Sequence, residues 1–330
     1  MTTLGLPSGD DAPWLIVGAG ALGQLFAASL APLRPVVLLG RHPAQPTIRL
    51  RTVDGTDIEV ALRRELLRDW VARRCEQSAP ALVVLATKSH DTRAVLDALT
   101  PVLEPTTPLL LLQNGFQAQP RISERWVGPV LCASTIEAAY RPMPGSDRAS
   151  SPSSSPSSNP SSNPASPDVI HAAAGETWIG DLGDRHTALA TAVAESLSQA
   201  GIAATSCPDI RQRLWQKLAI NAVINPLTAS HHVRNGELAR AEFQPRIVKL
   251  ISEIDRIMQA ENVQPPAAGW RALIDSVIEA TAANQSSMLQ DVLAGRPTER
   301  DAILGPLIDA SLRHGLATPE ILALYQATPP

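Results

Sequence analysis

Residues 14–23 read Trp-Leu-Ile-Val-Gly-Ala-Gly-Ala-Leu-Gly, and no other stretch constrains the fold as strongly. Four unbroken apolar residues with no polar alternation suit a short strand covered on both faces. The glycines follow at G-x-G-x-x-G spacing. Ala21–Leu30 then reads as a helix, and Val36–Leu39 as a second buried strand. Strand, glycine turn, helix and strand make a βαβ unit. Apolar runs at Ala81–Ala86, Leu109–Leu112 and Val130–Ile136 extend the sheet, and Thr92–Leu99 supplies a helix that stops before Pro101. The expected class is α/β, with a doubly wound and mostly parallel sheet.

Each glycine has a distinct task in such a turn. Gly18 allows the tight bend, Gly20 lets a pyrophosphate reach the backbone, and Gly23 lets the helix pack on the strand. Ala19, Ala21 and Leu22 complete the loop, and the helix N-terminus offers free amides to phosphate. A Rossmann-type dinucleotide site is expected; a glycine turn without a ligand is the plain alternative. The end of the second strand sets cofactor choice. NAD sites place an acid there, but this chain has Leu39-Gly40-Arg41-His42. Arg41 can pair with a 2′-phosphate, which favours NADP(H); its other reading is a solvated loop residue. Lys88 and Asn114 follow the third and fourth strands, where ligands of open α/β sheets bind. Both are candidates for the cofactor or substrate side, or are ordinary turn residues.

Residues 150–167 hold ten Ser, five Pro, two Asn and one Ala. Such a segment cannot anchor a core and is expected to be disordered. It is either a lengthened surface hairpin between Val130–Ile136 and Val169–Ala173, or an interdomain linker. After it come a strand at Glu176–Ile179, a helix at His186–Gln199 and a last strand at Ile202–Thr205. Beyond Asp209 only helical patterns remain: Ile210–Ile224, Gln244–Glu261, Ala267–Thr281 and Thr298–Leu312. The expected organisation is a nucleotide-binding domain over 1–208 and an all-α domain over 209–330, with a ligand cleft between them.

The segment 214–226 carries Lys217, Asn221 and Asn225 at i, i+4 and i+8, in otherwise apolar surroundings. On a helix they form one stripe. A buried ammonium and two buried amides need partners. They satisfy one another, or they face a polar cleft, where the lysine can act as general acid. Pro226 is expected to drive Asn225 out of helical geometry and bend the stripe. A second polar cluster runs from Asn284 to Asp291 and on to Arg296-Pro297-Thr298-Glu299. Its Ser, Thr and Glu residues suit helix caps as well as ligand contacts.

Composition narrows the function. The formal net charge is −4 and aromatic residues are 3%, against a nucleic-acid binder. Cys75, Cys132 and Cys207 are too few and too scattered for a disulfide framework or a metal site, so no metal is expected. The first thirteen residues have neither the basic start nor the apolar run of a signal peptide, and no apolar run approaches the ~20 residues of a membrane span. A soluble cytoplasmic protein is expected.

Together GAGALGQLFA (18–27), Lys88, QNG (113–115), LWQKLAINAVINPLTA (214–229), NGEL (235–238) and SSMLQDVLAGRPTERDAI (286–303) resemble the ketopantoate reductase (2-dehydropantoate 2-reductase) family. The resemblance runs from about residue 14 to 320. It implies a Rossmann-type domain followed by a helical domain like that of 6-phosphogluconate dehydrogenase. It implies NADPH-dependent reduction of 2-dehydropantoate to (R)-pantoate in pantothenate synthesis, by a monomer or homodimer. Lys217 matches the family's catalytic lysine and Glu299 its active-site glutamate, which also lies at the cofactor. Asn221, Asn225, Asn235 and Ser287 match substrate-side positions. Arg41 matches the arginine at the 2′-phosphate, and Lys88 and Asn114 match the cofactor–substrate junction. The alternatives are a reductase of another 2-oxo acid and a non-catalytic NADP(H)-binding sensor.

Overall fold

The computed structural model describes residues 12–73, 78–142 and 166–330. In chain order its strands are β1 (Trp14–Val17), β2 (Val36–Gly40), β3 (Thr47–Arg51), β4 (Asp57–Ala61), β5 (Arg63–Leu66), β6 (Leu82–Leu85), β7 (Leu109–Leu111), β8 (Val130–Thr135), β9 (Ala138–Tyr140), β10 (Val169–Ala173), β11 (Thr177–Gly180) and β12 (Ala204–Ser206). The helices are α1 (Ala21–Leu30), α2 (Leu67–Ala72), α3 (Ser89–Leu99), α4 (Ala118–Arg125), α5 (Thr187–Gln199), α6 (Ile210–His231), α7 (Gln244–Ala260), α8 (Gly269–Ala280), α9 (Ser287–Leu293), α10 (Arg300–Arg313) and α11 (Pro319–Ala327).

Eight strands form the main sheet in the order β12-β11-β8-β7-β6-β1-β2-β5. All neighbours are parallel except β11 against β8. The apolar runs arise because both faces are buried. Leu15 and Val17 join one core, while Trp14 and Ile16 join the core on the other side; β6 splits in the same way. The order reverses at β1, with β2 on one side and β6 on the other. That switch point opens a crevice beyond the strands' carboxyl ends.

The sequence reading missed β3, β4, β5 and β9. β3, β4, β9 and β10 form a smaller sheet against α1, in the order β4-β3-β10-β9. In β3 only Ile48 and Leu50 are buried, and charged residues alternate with them. β9 has just three residues, none fully buried. The strand before the Ser/Pro segment is therefore β9, not the Val130–Ile136 run. β9 pairs antiparallel with β10 (Ile170 opposite Tyr140), so the insertion joins two paired strands. Its disorder is a reading that falls on residues 150–165, outside the described residues.

Pro226 does not drive Asn225 out of helical geometry as expected. α6 runs on through Pro226 to His231 and ends with His232 in the left-handed region (φ 56°). A proline inside a helix costs about 3 kcal/mol. Here that cost is offset by packing, since residues 222–229 are all buried and α6 touches α7, α8, α9, α10, α11, β8 and β11. Thr228 also donates its hydroxyl to the carbonyls of Ile224 and Asn225 (2.8 and 3.0 Å).

α7 buries Ile247, Leu250, Ile251, Ile254, Ile257 and Met258 along one stripe. Glu253 lies on that buried side, at 5% exposure, and accepts the backbone amides of Glu320 and Ile321 (3.0 and 2.9 Å). It caps α11, whose own first residues supply no side-chain cap. We expect Glu253→Ala to lower stability by about 1.5–3 kcal/mol, the scale of charge-assisted bonds, measured by thermal unfolding.

Candidate active site

Three loops meet at the switch point. Gly18 (φ 116°) follows β1; a Cβ there would lie 2.7 Å from the Ala86 carbonyl carbon. A Cβ on Gly23 would lie within 2 Å of the Gly18 oxygen. A Cβ on Gly20, the N-cap of α1, would meet nothing, so the loop is open at the one glycine where a ligand must approach. Gln24 donates to the Ala19 carbonyl (3.1 Å) and steadies the turn. These features fit a pyrophosphate at the free amides of α1.

A cavity of about 300 Å³ adjoins this loop at the end of β2, lined among others by Ala19, Gly40, His42, Arg64 and Arg73. Arg41 itself is 74% exposed and pairs with Asp91 of α3 at 3.1 Å. The structure thus places Arg41 between two lining residues but turns its guanidinium to Asp91. Arg64 and Arg73 were missed by the sequence reading, because β5 and α2 leave only a charged, weakly patterned signature.

Across the crevice, Glu299 stands just before α10 and is 5% exposed. Its carboxylate accepts the Ser89 amide (3.0 Å) and the Asn114 side-chain amide (3.1 Å), with the Lys88 ammonium at 3.5 Å. Burial pushes its pKa up, but Lys88, Ser89 and Asn114 outweigh burial and hold it below the usual carboxylate range. Lys88 also donates to buried Asp291 at 2.7 Å. Burial would pull the Lys88 ammonium down, and Glu299 and Asp291 together raise it above its ordinary value.

Lys217, on α6, donates its ammonium to the Thr135 carbonyl at the end of β8 (2.7 Å). Burial pulls its pKa down to about 8, against the opposing charge of Glu299. The arrangement is a desolvated ammonium near physiological pH, with a fixed carboxylate acting on it, beyond the carboxyl ends of the parallel strands. It can deliver a proton to a developing oxyanion.

Comparison with known proteins gives the lineage. A family profile described as "Ketopantoate reductase PanE/ApbA" matches residues 14–154, and one described as "Ketopantoate reductase PanE/ApbA C terminal" matches residues 209–329. The chain belongs to the ketopantoate reductase family. A 2-dehydropantoate 2-reductase from Vibrio cholerae is 34% identical over 94% of this chain and 95% of its own length. One from Yersinia pestis is 30% identical over 94% and 92%. Among solved structures, a PanE/ApbA family ketopantoate reductase from Ralstonia eutropha shares the fold at TM-score 0.77, with 23% identity over 95% and 96% of the two chains. A D-mandelate dehydrogenase with NADH and anilino(oxo)acetate does so at TM-score 0.81, with 22% identity over 96% of each chain.

The family's remaining polar positions fall in different settings here. Asn221 is half-buried and Asn225 is 7% exposed, and among the described residues neither amide has a hydrogen-bond partner. Among the described residues they do not satisfy each other or Lys217. Ser287 is exposed at the first turn of α9, while buried Ser286 caps that helix and meets Thr228 at 2.7 Å. Asn235 donates to Thr281 (2.9 Å), and its buried Oδ1 has no partner among the described residues. The structure brings Lys88, Asn114 and Glu299 into one network. It adds Ser89, Asp291 and Thr135, which sequence reasoning missed as site members. Asp291 lay in a cluster that also suited helix capping, and the other two act through backbone groups with no side-chain signature.

The desolvated lysine has a stability consequence. Its folded pKa, about 8, lies below the unfolded value near 10.5, so below pH 8 the folded state carries the whole cost of the buried charge. That cost fades as pH rises from about 8 to 10.5. We expect Lys217→Met to stabilise the fold by about 1–2 kcal/mol at neutral pH, allowing for partial solvent screening. The gain should shrink toward pH 10.5 when thermal unfolding is followed across that range.

Proposed function

We propose that the protein reduces 2-dehydropantoate to (R)-pantoate with NADPH, the ketopantoate reductase step of pantothenate and coenzyme A synthesis. The observation that carries this reading is the Lys217 ammonium on α6, which donates to the Thr135 carbonyl at the end of β8 (2.7 Å), where burial lowers its pKa to about 8 against the charge of Glu299. Relatives named 2-dehydropantoate 2-reductase that align over nearly the whole chain support the substrate.

Residues 1–208 hold the dinucleotide on this reading, and 209–330 supply the proton donor. The Gly18–Gly23 loop and the α1 amides bind the pyrophosphate. The cavity beside Gly40 takes the adenosine end, with Arg41, after release from Asp91, on the 2′-phosphate. NADPH supplies hydride to the substrate's keto carbon when it is bound. Lys217 stabilises the growing negative charge on the keto oxygen and protonates it. Glu299 keeps Lys217 charged and, with Asn114 and Lys88, lines the junction of cofactor and substrate. Asn221, Asn225, Asn235 and Ser287 orient the carboxylate and hydroxyl without adding charge. Closure of the cleft excludes water and aligns the reactants. We place the protein in the cytoplasm, as a monomer or a homodimer.

The test is NADPH oxidation with 2-dehydropantoate, with NADH and other 2-oxo acids run alongside. Turnover confined to NADPH and 2-dehydropantoate is the expected result; NADPH binding without turnover of any 2-oxo acid would overturn it. Lys217→Ala should lower kcat by about 10²–10⁴-fold in a folded protein. Arg41→Ala should raise the KM for NADPH about tenfold and leave that for NADH unchanged, because only NADPH carries the 2′-phosphate.

A further inference from the structure

Glu299 is the N-cap of α10, yet its side chain does not cap the helix. N-cap side chains usually accept an amide of the first turn. This one is turned away, to Ser89, Asn114 and Lys88. Something else must therefore fix the backbone that carries it.

Residues 325–330 lie against both neighbours of Glu299. Thr298 donates its amide to the Pro330 backbone oxygen (3.1 Å) and its hydroxyl to the Pro329 carbonyl (2.7 Å). The same hydroxyl accepts the Arg300 amide at 3.2 Å. Arg300 donates Nη1 to the Thr328 carbonyl (3.0 Å) and lies over the Tyr325 ring at 4.2 Å. The Tyr325 hydroxyl donates to Asp301 at 2.8 Å. Thr298 and Thr328 are both buried, at 6% and 1% exposure. Ser230, near the end of α6, contacts the same tail at Thr328 (3.4 Å). The tail therefore touches the helix that carries Lys217 as well as the one that begins after Glu299.

We propose that residues 325–330 form a positioning strap, which holds the Thr298–Asp301 backbone so that the Glu299 carboxylate is aimed into the cleft. The strap acts through Glu299. It rests on the reading of Glu299 as an active-site carboxylate. A carboxylate displaced by a fraction of an ångström loses alignment with both Asn114 and the reacting centre.

The experiment compares Thr298→Val, Thr298→Ser, a chain ending at Ala327 and Glu299→Gln. Thr298→Val keeps the shape but removes the hydroxyl from Pro329 and Arg300. Turnover of 2-dehydropantoate with NADPH is measured from pH 6 to 10, beside thermal unfolding. We expect Thr298→Val to lower kcat about tenfold. The loss of activity on the alkaline side should also move to lower pH, because Glu299 is the charge that opposes the lowering of Lys217. Thr298→Ser should restore both readouts, and the shortened chain, if folded, should match Thr298→Val. Wild-type kcat and pH profile in Thr298→Val, beside an impaired Glu299→Gln, would overturn the strap. Wild-type activity in Glu299→Gln would instead overturn the reading on which the strap rests.

Discussion

A carboxylate buried between a parallel sheet and a helical bundle is unstable unless both sides supply partners. Glu299 is such a group. The sheet side provides the Ser89 amide, the Asn114 amide and the Lys88 ammonium, each from the loop after β6 or β7 or from the first turn of α3. The helical side provides the α10 backbone on which it stands. The two halves of the chain meet at this ion, as they also do where α6 packs on β8 and β11, and the meeting lies at the switch point of the sheet. Lys88 strengthens the link by also pairing with Asp291.

The same carboxylate sets the state of Lys217. Burial alone drives an ammonium toward neutrality, and an opposed charge drives it back. The balance leaves Lys217 near 8, where it stays charged at neutral pH yet gives up its proton readily. That condition follows from where Lys217 stands on α6, in a stretch that buries Leu214, Trp215, Leu218 and Ala219. A solvated lysine stays near 10.4 and is a poorer proton donor at neutral pH. The helix that packs at the centre of the second half thus also carries the proposed proton donor.

Much of this was legible in the sequence, and the reasons are local. β1, β2, β6, β7 and β8 read as apolar runs because the sheet is covered on both faces. The Gly18–Gly23 turn was legible because only glycine fits at Gly18 and Gly23. Lys217 and its asparagines stood out as polar residues on an apolar helix. β3, β4 and β9 were not legible, being half-exposed or very short. α6 overran Pro226 because tertiary packing outweighed a local signal. The pairing of Arg41 with Asp91, and of Asp91's neighbours Lys88 and Ser89 with Glu299, joins residues far apart in the chain and leaves no local pattern.

The central claim is that Lys217, tuned by burial and by Glu299, is the proton donor. The most direct measurement is the pH dependence of kcat/KM for 2-dehydropantoate with saturating NADPH. The account predicts a decline above pH about 8 that follows loss of the lysine's proton. A profile that stays flat to about pH 10 would contradict it, because activity would then persist where Lys217, at about 8, has lost its proton.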